Sequence, residues 1–205
     1  VMGEWHHPYL TMDYRYQADI VRALGRFVEQ GLVYKGKKPV HWCIHCRTAL
    51  AEAEVEYEDH TSPSIYVEFP IRPEGLARLA ADVPELRGRP VSALIWTTTP
   101  WTIPSNMAIA FNPDYVYGVY PSGDTAVIVA EPLAERVSTV TGRQFGEPVA
   151  RIPGRLLENV SFQHPLYDRE SIGVLGDYVT LEQGTGAVHT APGHGVDDYH
   201  TGLRY

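Results

Sequence analysis

Residues 95–106 read IWTTTPWTIPSN, from Ile95 to Asn106, and they continue an apolar run that begins at Val91. The apolar run predicts a buried strand. Beyond it, the prolines at positions 100 and 104 lack an N–H and bias the residues before them toward extended backbone, so a regular helix is not expected. We therefore predict a strand that ends in a rigid turn lined by hydroxyl groups, which suit a polar ligand such as a sugar or an ester. The alternative is a β-rich segment with threonine on an exposed face.

A second polar stretch near the C-terminus reads GTGAVHTAPGHGVDDY over residues 184–199. It predicts a glycine turn, a short strand and a proline–glycine loop. Histidine and carboxylate groups gather here, and these are good ligands for zinc or iron: His189, His194, Asp197, Asp198 and His200. One alternative is therefore a hydrolase that uses metal-bound water. Against it, the spacing of the first two histidines crosses a loop rather than a helix face and matches no metal signature.

Together, WTTTPWTIPSN and GTGAVHTAPGHGVDD resemble the editing domain of the isoleucyl-tRNA synthetases, in the class I aminoacyl-tRNA synthetase family. The segments Tyr34–Cys43 and Thr48–Tyr57 resemble the isoleucyl branch as well. Valyl and leucyl relatives usually continue the threonine stretch with arginine, as TTRP, where this chain has Thr99 before Pro100. The resemblance covers essentially the whole chain.

The resemblance implies hydrolysis of the aminoacyl ester of valine-charged tRNA(Ile), while isoleucine-charged tRNA(Ile) is excluded. It implies that Asp198 binds the α-ammonium group of the substrate, because a buried cation requires a paired anion. Thr97, Thr98 and Thr99 are implied to contact the ester and the terminal ribose. These four residues are the expected catalytic groups. Water is expected to attack the ester directly, since a threonine hydroxyl of ordinary pKa is a better positioning group than a base.

The resemblance also implies a substrate-binding set around that centre. His189 is implied to limit the side-chain pocket, so that valine enters and isoleucine does not. Trp101 is implied to stack against the pocket or to form its wall, and Asn106 to be a polar residue of the site. The remaining polar residues of the second stretch are expected to structure the loop or to face solvent: His194, Asp197 and His200.

Many short apolar runs with few helical patterns predict a mainly β, α+β fold: a closed β-barrel core with peripheral helices. The resemblance implies the same barrel. We expect residues 1–55 to form an N-terminal helix and a connector from a catalytic core, and residues 56–205 to form the editing domain. Further strands are predicted at 64–71, 107–111, 115–120, 125–130, 152–157, 172–174, 178–181 and 187–189, with helices at 74–81 and after Pro132.

Two features of the N-terminal part are predicted from their periodicity. The apolar periodicity of residues 13–30 predicts a helix that is capped by Asp13 and ends at Gly31. The resemblance implies that its apolar stripe lies against the catalytic core of a parent enzyme. Between residues 52 and 58, glutamate alternates with other residues. This alternation predicts a strand with a solvated acidic face.

The composition is that of a globular protein with an acidic balance: 17 basic and 25 acidic residues give a net charge of −8. Because phosphate contacts dominate nucleic-acid affinity, this charge is unfavourable for binding RNA alone. We expect the chain to hold only the 3′ end of a tRNA(Ile) carrying valine, with other domains of the parent synthetase as partners. No membrane-length apolar run and no signal peptide are present, so a cytoplasmic location is expected. The nucleotide-binding signatures of a synthetase core are missing, so amino-acid activation is not expected.

Cys43 and Cys46 are the two cysteines of the chain, in a C-x-x-C pattern that supplies half of a tetrahedral zinc site. The resemblance implies that the full enzyme has a second cysteine pair elsewhere, and that the two pairs together could bind a structural zinc. The alternative is two ordinary thiols, and no cofactor is expected for editing. A non-catalytic RNA-binding module built on this pair also stays open, although the charge of −8 counts against it.

Overall fold

The computed structural model describes residues 3–205. The chain divides into two compact units, Val1–Lys38 and Pro39–Tyr205. The first unit contains helix α1 (Tyr14–Glu29), whose N-terminus is capped by the Asp13 carboxylate accepting the Arg15 N–H at 2.7 Å. Gly31 has a φ of +70° just after the helix. The predicted helix, its cap and its end are therefore confirmed.

The second unit contains three sheets and three α-helices. Its helices are α2 (Pro73–Asp82), α3 (Ala134–Thr141) and α4 (Val196–Arg204). Its strands are β1 (Trp42–Cys43), β2 (Thr48–Ala49), β3 (Ile65–Pro70), β4 (Val91–Thr97), β5 (Ala108–Phe111), β6 (Val116–Ser122), β7 (Thr125–Ala130), β8 (Ala150–Pro153), β9 (Ser161–Gln163), β10 (Glu170–Leu175) and β11 (Ala187–Thr190). The predicted mixed α+β class is confirmed.

The two large sheets share one hydrophobic core. One sheet has the order β3-β4-β7-β6-β8 and the other the order β11-β5-β10-β9, while β1 and β2 form a separate hairpin. The β4–β7 and β5–β10 pairs are parallel, and the other pairs are antiparallel. Aromatic side chains from both sheets, among them Phe69, Phe111, Tyr117 and Phe162, are fully buried in the same cluster. This core fixes the ends of β4 and β11, which carry the two polar stretches.

No closed barrel is found among the strand pairs of residues 3–205. The two large sheets nevertheless approach each other at both sides. On one side Ile71 and Phe162 form a β-bridge, next to a 2.9 Å hydrogen bond from the Arg72 N–H to the Ser161 carbonyl. On the other side β11 contacts β4 without a shared ladder.

Two of the strand predictions are wrong, and a third is correct only over its first two residues. Glu52–Glu54 forms one 3-10 turn, in which the Glu54 carboxylate accepts the Ala51 N–H at 2.8 Å, and residues 55–58 are irregular. The alternating pattern fails here because no strand in the described part of the chain pairs with this segment. Residues 178–181 are also irregular, and the strand predicted over 152–157 ends at Pro153 and continues as a 3-10 turn, Gly154–Leu157. Strand β9 and helix α4 were not predicted.

Candidate active site

The threonine stretch begins where β4 ends, at Thr97. The Oγ1 atoms of Thr97 and Thr99 are 3.1 Å apart, and Thr97 Oγ1 also accepts the Thr99 N–H at 3.1 Å. A 3-10 helix follows over Pro100–Ser105. The predicted turn after a buried strand is therefore confirmed, and the prolines give it 3-10 rather than α-helical geometry.

Side chains from the β9–β10 connection hold this 3-10 helix in place. His164 donates its Nε2–H to the Ile103 carbonyl at 2.9 Å, because its Nδ1 atom accepts two backbone N–H groups. Arg169 Nη2 donates to the Pro104 carbonyl at 2.7 Å and to the Asn106 carbonyl at 2.8 Å. These bonds satisfy carbonyl groups that a short irregular helix leaves without internal partners.

His189 lies on β11 and faces the threonine stretch. Its Nε2 atom is 2.9 Å from Thr102 Oγ1, and its Nδ1 atom is 2.9 Å from Asn106 Nδ2. Burial, together with the nearby His194 and His164, lowers the pKa of the His189 imidazole to about 4. The ring is therefore neutral at neutral pH, and both of its nitrogens are engaged by protein groups.

Asp198 lies in the first turn of α4 and is partly buried. Its Oδ2 atom accepts the Ala191 N–H at 2.8 Å, which ties the helix to the end of β11. Burial raises the pKa of the Asp198 carboxyl above its ordinary value, and Asp197 adds to this shift. The Ala191 hydrogen bond and His194 oppose it. A partly buried carboxylate of this kind is favourable for binding a cation, which would lower its pKa again.

These groups line one cavity of about 980 Å³. This volume lies near the upper end of the range of about 300–1,000 Å³ for small-molecule sites. Apart from His41, the polar side chains on its wall come from the two stretches: Thr97, Thr99, Thr102, His189, His194 and Asp198. Apolar side chains include Val40, Trp42, Ile44, Trp96, Trp101, Val188 and Val196. The structure thus brings the two predicted stretches together around a space that is large enough for an amino acid attached to a nucleoside.

Two of the predicted site residues do not line this cavity. Thr98 is exposed and lines a separate cavity of about 300 Å³ beside the turn at residues 184–186, while its carbonyl accepts a hydrogen bond from Ser62 Oγ at 2.9 Å. Asn106 is fully buried and contacts His189 instead. Its position favours a supporting role over direct contact with a substrate. Thr102 was missed, although its place three residues after Thr99 matches the 3-10 period.

The metal alternative gains no support from the geometry. Within residues 3–205, no group of three or more His, Cys, Asp and Glu side chains is placed to hold a metal ion. At the β1–β2 hairpin, the Cys46 N–H donates to Cys43 Sγ at 3.3 Å and both thiols are free. This hydrogen bond lowers the pKa of the Cys43 thiol and favours its thiolate, whereas the hydrogen bond to Cys43 raises the pKa of the Cys46 thiol. The two cysteines by themselves can supply half of a tetrahedral zinc site.

Comparisons with known proteins place this chain in a family. The family model for tRNA synthetases class I (I, L, M and V) matches residues 1–166. Isoleucine–tRNA ligase of Syntrophotalea carbinolica is 53% identical over 205 residues, which are 100% of this chain and 22% of that protein. The Geobacter sulfurreducens isoleucine–tRNA ligase is 51% identical over 203 residues, 99% of this chain and 22% of that protein. The chain thus spans about a fifth of the length of these relatives.

Solved structures agree on the fold. The P. knowlesi cytosolic leucyl-tRNA synthetase editing domain superposes with a TM-score of 0.58 at 12% identity, covering 66% of this chain and 59% of that one. The crystal structure of GlLeuRS-CP1 gives a TM-score of 0.55 at 21% identity, covering 67% of this chain and 58% of that one. At these identities the likeness concerns the fold alone. In the described part of the chain, no helix has the length and apolar character needed to cross a membrane.

Proposed function

Because this chain belongs to the family of class I tRNA synthetases (I, L, M and V), we propose that it is the editing domain of an isoleucyl-tRNA synthetase. In this proposal it hydrolyses the aminoacyl ester of valine-charged tRNA(Ile) and spares isoleucine-charged tRNA(Ile). The observation that carries the proposal is one cavity that joins paired threonine hydroxyls, a partly buried carboxylate and a neutral imidazole. These groups suit the ester, the ammonium group and the side chain of an aminoacyl ester.

Asp198 supplies the contact for the α-ammonium group. Its carboxylate lines the cavity, while one of its oxygens is already held by the Ala191 N–H. A charge-assisted hydrogen bond to the ammonium is stronger than a neutral one and fixes the amino-acid end of the substrate. Asp197 is exposed and does not line this cavity, so it is not placed to replace its neighbour.

The threonines position the ester and water. In the hydrolysis, a water oxygen bonds to the ester carbonyl carbon, the bond from that carbon to the ribose oxygen breaks, and the ribose oxygen gains the proton. His189 is not available as a base because both of its nitrogens are engaged. Thr97 and Thr99 therefore act, in this proposal, by orienting the water and the ribose hydroxyl groups, which is a recognised source of rate acceleration. Thr98 would contact the ribose from the neighbouring cavity.

Selection against isoleucine requires a wall that one extra methylene meets. An apolar pocket alone distinguishes one methylene by about 1–3 kcal/mol, a value established for isoleucyl-tRNA synthetases rather than derived from this structure. A second, smaller site overcomes this limit by admitting valine only. His189 lies on the cavity wall and is fixed on both sides, and Trp101 lies on the same wall, so both are candidates for this boundary.

The proposal assigns the remaining functions to a longer enzyme. The net charge of −8 is unfavourable for gripping tRNA, so other domains would bind its body while this chain receives the charged 3′ end. Residues 1–55 would connect to the catalytic core and residues 56–205 would form the editing domain, in the cytoplasm. The approach of the two large sheets at both sides supports a closed barrel as the arrangement of that domain. The apolar stripe of α1 would pack on the core: Ile20, Leu24, Phe27 and Val28 are each more than half exposed.

Editing is expected to be independent of metal, whereas the two cysteines are expected to bind zinc only with a second cysteine pair from the longer enzyme. The reason is that the cavity offers no ligand set and the hairpin offers half of one. The test is release of valine from Val-tRNA(Ile), by the chain and by a full-length enzyme that contains it, with and without a chelator. Zinc content is measured in parallel. Unchanged release is expected; release that stops with chelator and returns with zinc would establish the metal-dependent hydrolase instead.

A further inference from the structure

Thr102 stands at the point where the two polar stretches meet. Its side chain is 9% exposed and lines the cavity. Its Oγ1 atom lies 2.9 Å from the Thr99 carbonyl and 2.9 Å from His189 Nε2. A hydroxyl has one hydrogen to donate, and the carbonyl can only accept. The Thr102 hydrogen therefore points to Thr99, and the oxygen accepts from His189.

The hydrogen bonds on the Nδ1 side of the His189 ring also place the ring hydrogen on Nε2. The Asn106 Nδ2 group can only donate, and it lies 2.8 Å from the Ala108 carbonyl and 2.9 Å from His189 Nδ1. His189 Nδ1 must therefore accept, and in a neutral ring the hydrogen is then on Nε2. One directed series of hydrogen bonds results, from Asn106 through His189 and Thr102 to the backbone of Thr99.

We propose that Thr102 is a positioning residue of the editing site. Its hydroxyl holds the imidazole of His189 against the cavity and at the same time fixes the backbone of Thr99, whose own hydroxyl is paired with Thr97. The wall that selects the side chain and the hydroxyls that position the ester are thereby joined through one atom. This inference rests on the proposed function.

Thr102→Val removes the hydroxyl while keeping the shape of the side chain. It leaves the Nε2–H of His189 without an acceptor, while the Thr99 carbonyl keeps only the backbone N–H of residue 102 as a donor, at 3.1 Å. Because an unpaired buried donor is unfavourable, the imidazole would turn toward water and leave the wall. We expect the ratio of valine release to isoleucine release to fall by about 10-fold, in the lower part of the range for an orphaned buried group. Thr102→Ser restores the hydroxyl and should restore the ratio.

The experiment has two independent arms. The first is NMR of the protein with 15N-labelled histidine, without tRNA, in which the His189 signals are assigned by their loss in His189→Asn. The second compares deacylation of Val-tRNA(Ile) and Ile-tRNA(Ile). Thr141→Val is the matched control, because the Thr141 hydroxyl also donates to a backbone carbonyl, at 2.7 Å, but lies on α3 and does not line the cavity.

In the unmodified protein, we expect the Nδ1 atom of His189 to carry no hydrogen and the Nε2–H to be protected from exchange with solvent. In Thr102→Val, the protection of the His189 Nε2–H from exchange and the preference for valine release should both be lost. Both should be kept in Thr141→Val and regained in Thr102→Ser. An Nδ1–H tautomer in the unmodified protein would overturn the proposal even if Thr102→Val does not fold. An unchanged Nε2–H and an unchanged ratio in folded Thr102→Val would overturn it as well. Absence of any deacylation by the unmodified protein would instead overturn the proposed function and the selectivity role with it, while the NMR arm still decides the hydrogen bonds.

Discussion

Asp198→Ala is expected to remove nearly all release of valine from Val-tRNA(Ile), while Asp197→Ala leaves most of it. The two aspartates are neighbours in the first turn of the same helix, but only Asp198 lines the cavity. Without its carboxylate, the substrate ammonium loses a charge-assisted hydrogen bond of about 1.5–3 kcal/mol, or more when buried, which corresponds to about 10–150-fold in rate. The measurement is kcat/KM for deacylation by both variants.

A structural effect must be separated from the loss of charge, because Asp198 also accepts the Ala191 N–H. Asp198→Asn keeps an acceptor for that N–H and removes the negative charge. If the negative charge binds the substrate, Asp198→Asn should lose nearly as much deacylation activity as Asp198→Ala. Its thermal unfolding temperature should stay close to that of the unmodified protein. Equal losses for the substitutions at 197 and 198 would show that the ammonium contact has been assigned to the wrong aspartate.

His189→Ala is expected to let isoleucine into the site. The imidazole is larger than the methyl group that distinguishes the two amino acids, so its removal leaves space that the extra methyl fills. Valine should still bind, because Asp198 and the threonines hold the other end of the substrate. The variant should begin to deacylate Ile-tRNA(Ile) and retain activity on Val-tRNA(Ile). The expected loss of discrimination is about 10–200-fold, the general range for one methylene in an apolar pocket.

The measurement is the ratio of the two deacylation rates in the variant and in the unmodified protein. His200→Ala serves as a matched control, because His200 is an exposed histidine that does not line the large cavity. The ratio of the two deacylation rates should not change in His200→Ala. A parallel loss of activity on both substrates in His189→Ala would mark the imidazole as catalytic or structural, and a constant ratio would remove it from the wall that selects the side chain.

Local sequence signals were sufficient where the chain decides its own conformation. The apolar run before Thr97 predicted β4, and the prolines at 100 and 104 predicted a turn without regular helix. Likewise Gly31, with a φ of +70°, follows the end of α1 as predicted for a glycine in the left-handed region. In each case the residues of the segment themselves favour its backbone conformation, so no distant partner is needed for the prediction.

Sequence reasoning failed where a partner decides the structure. The alternating glutamates at 52–58 do not form a strand because no strand within residues 3–205 pairs with them. Helix α4 was not predicted because it has few apolar residues. The placement of Asn106 could not be read from the sequence either, and its role stays a prediction. Its residue type suggests contact with a substrate, whereas the 3-10 geometry turns its amide inward onto His189.

The central claim is that this chain removes valine and spares isoleucine. The most direct test is to incubate the chain, and a full-length isoleucine–tRNA ligase that contains it, with tRNA(Ile) charged with either amino acid and to measure the amino acid released over time. The account predicts release of valine well above the spontaneous rate and release of isoleucine close to it. Equal release of both amino acids, or release of neither by the full-length enzyme, would contradict the account.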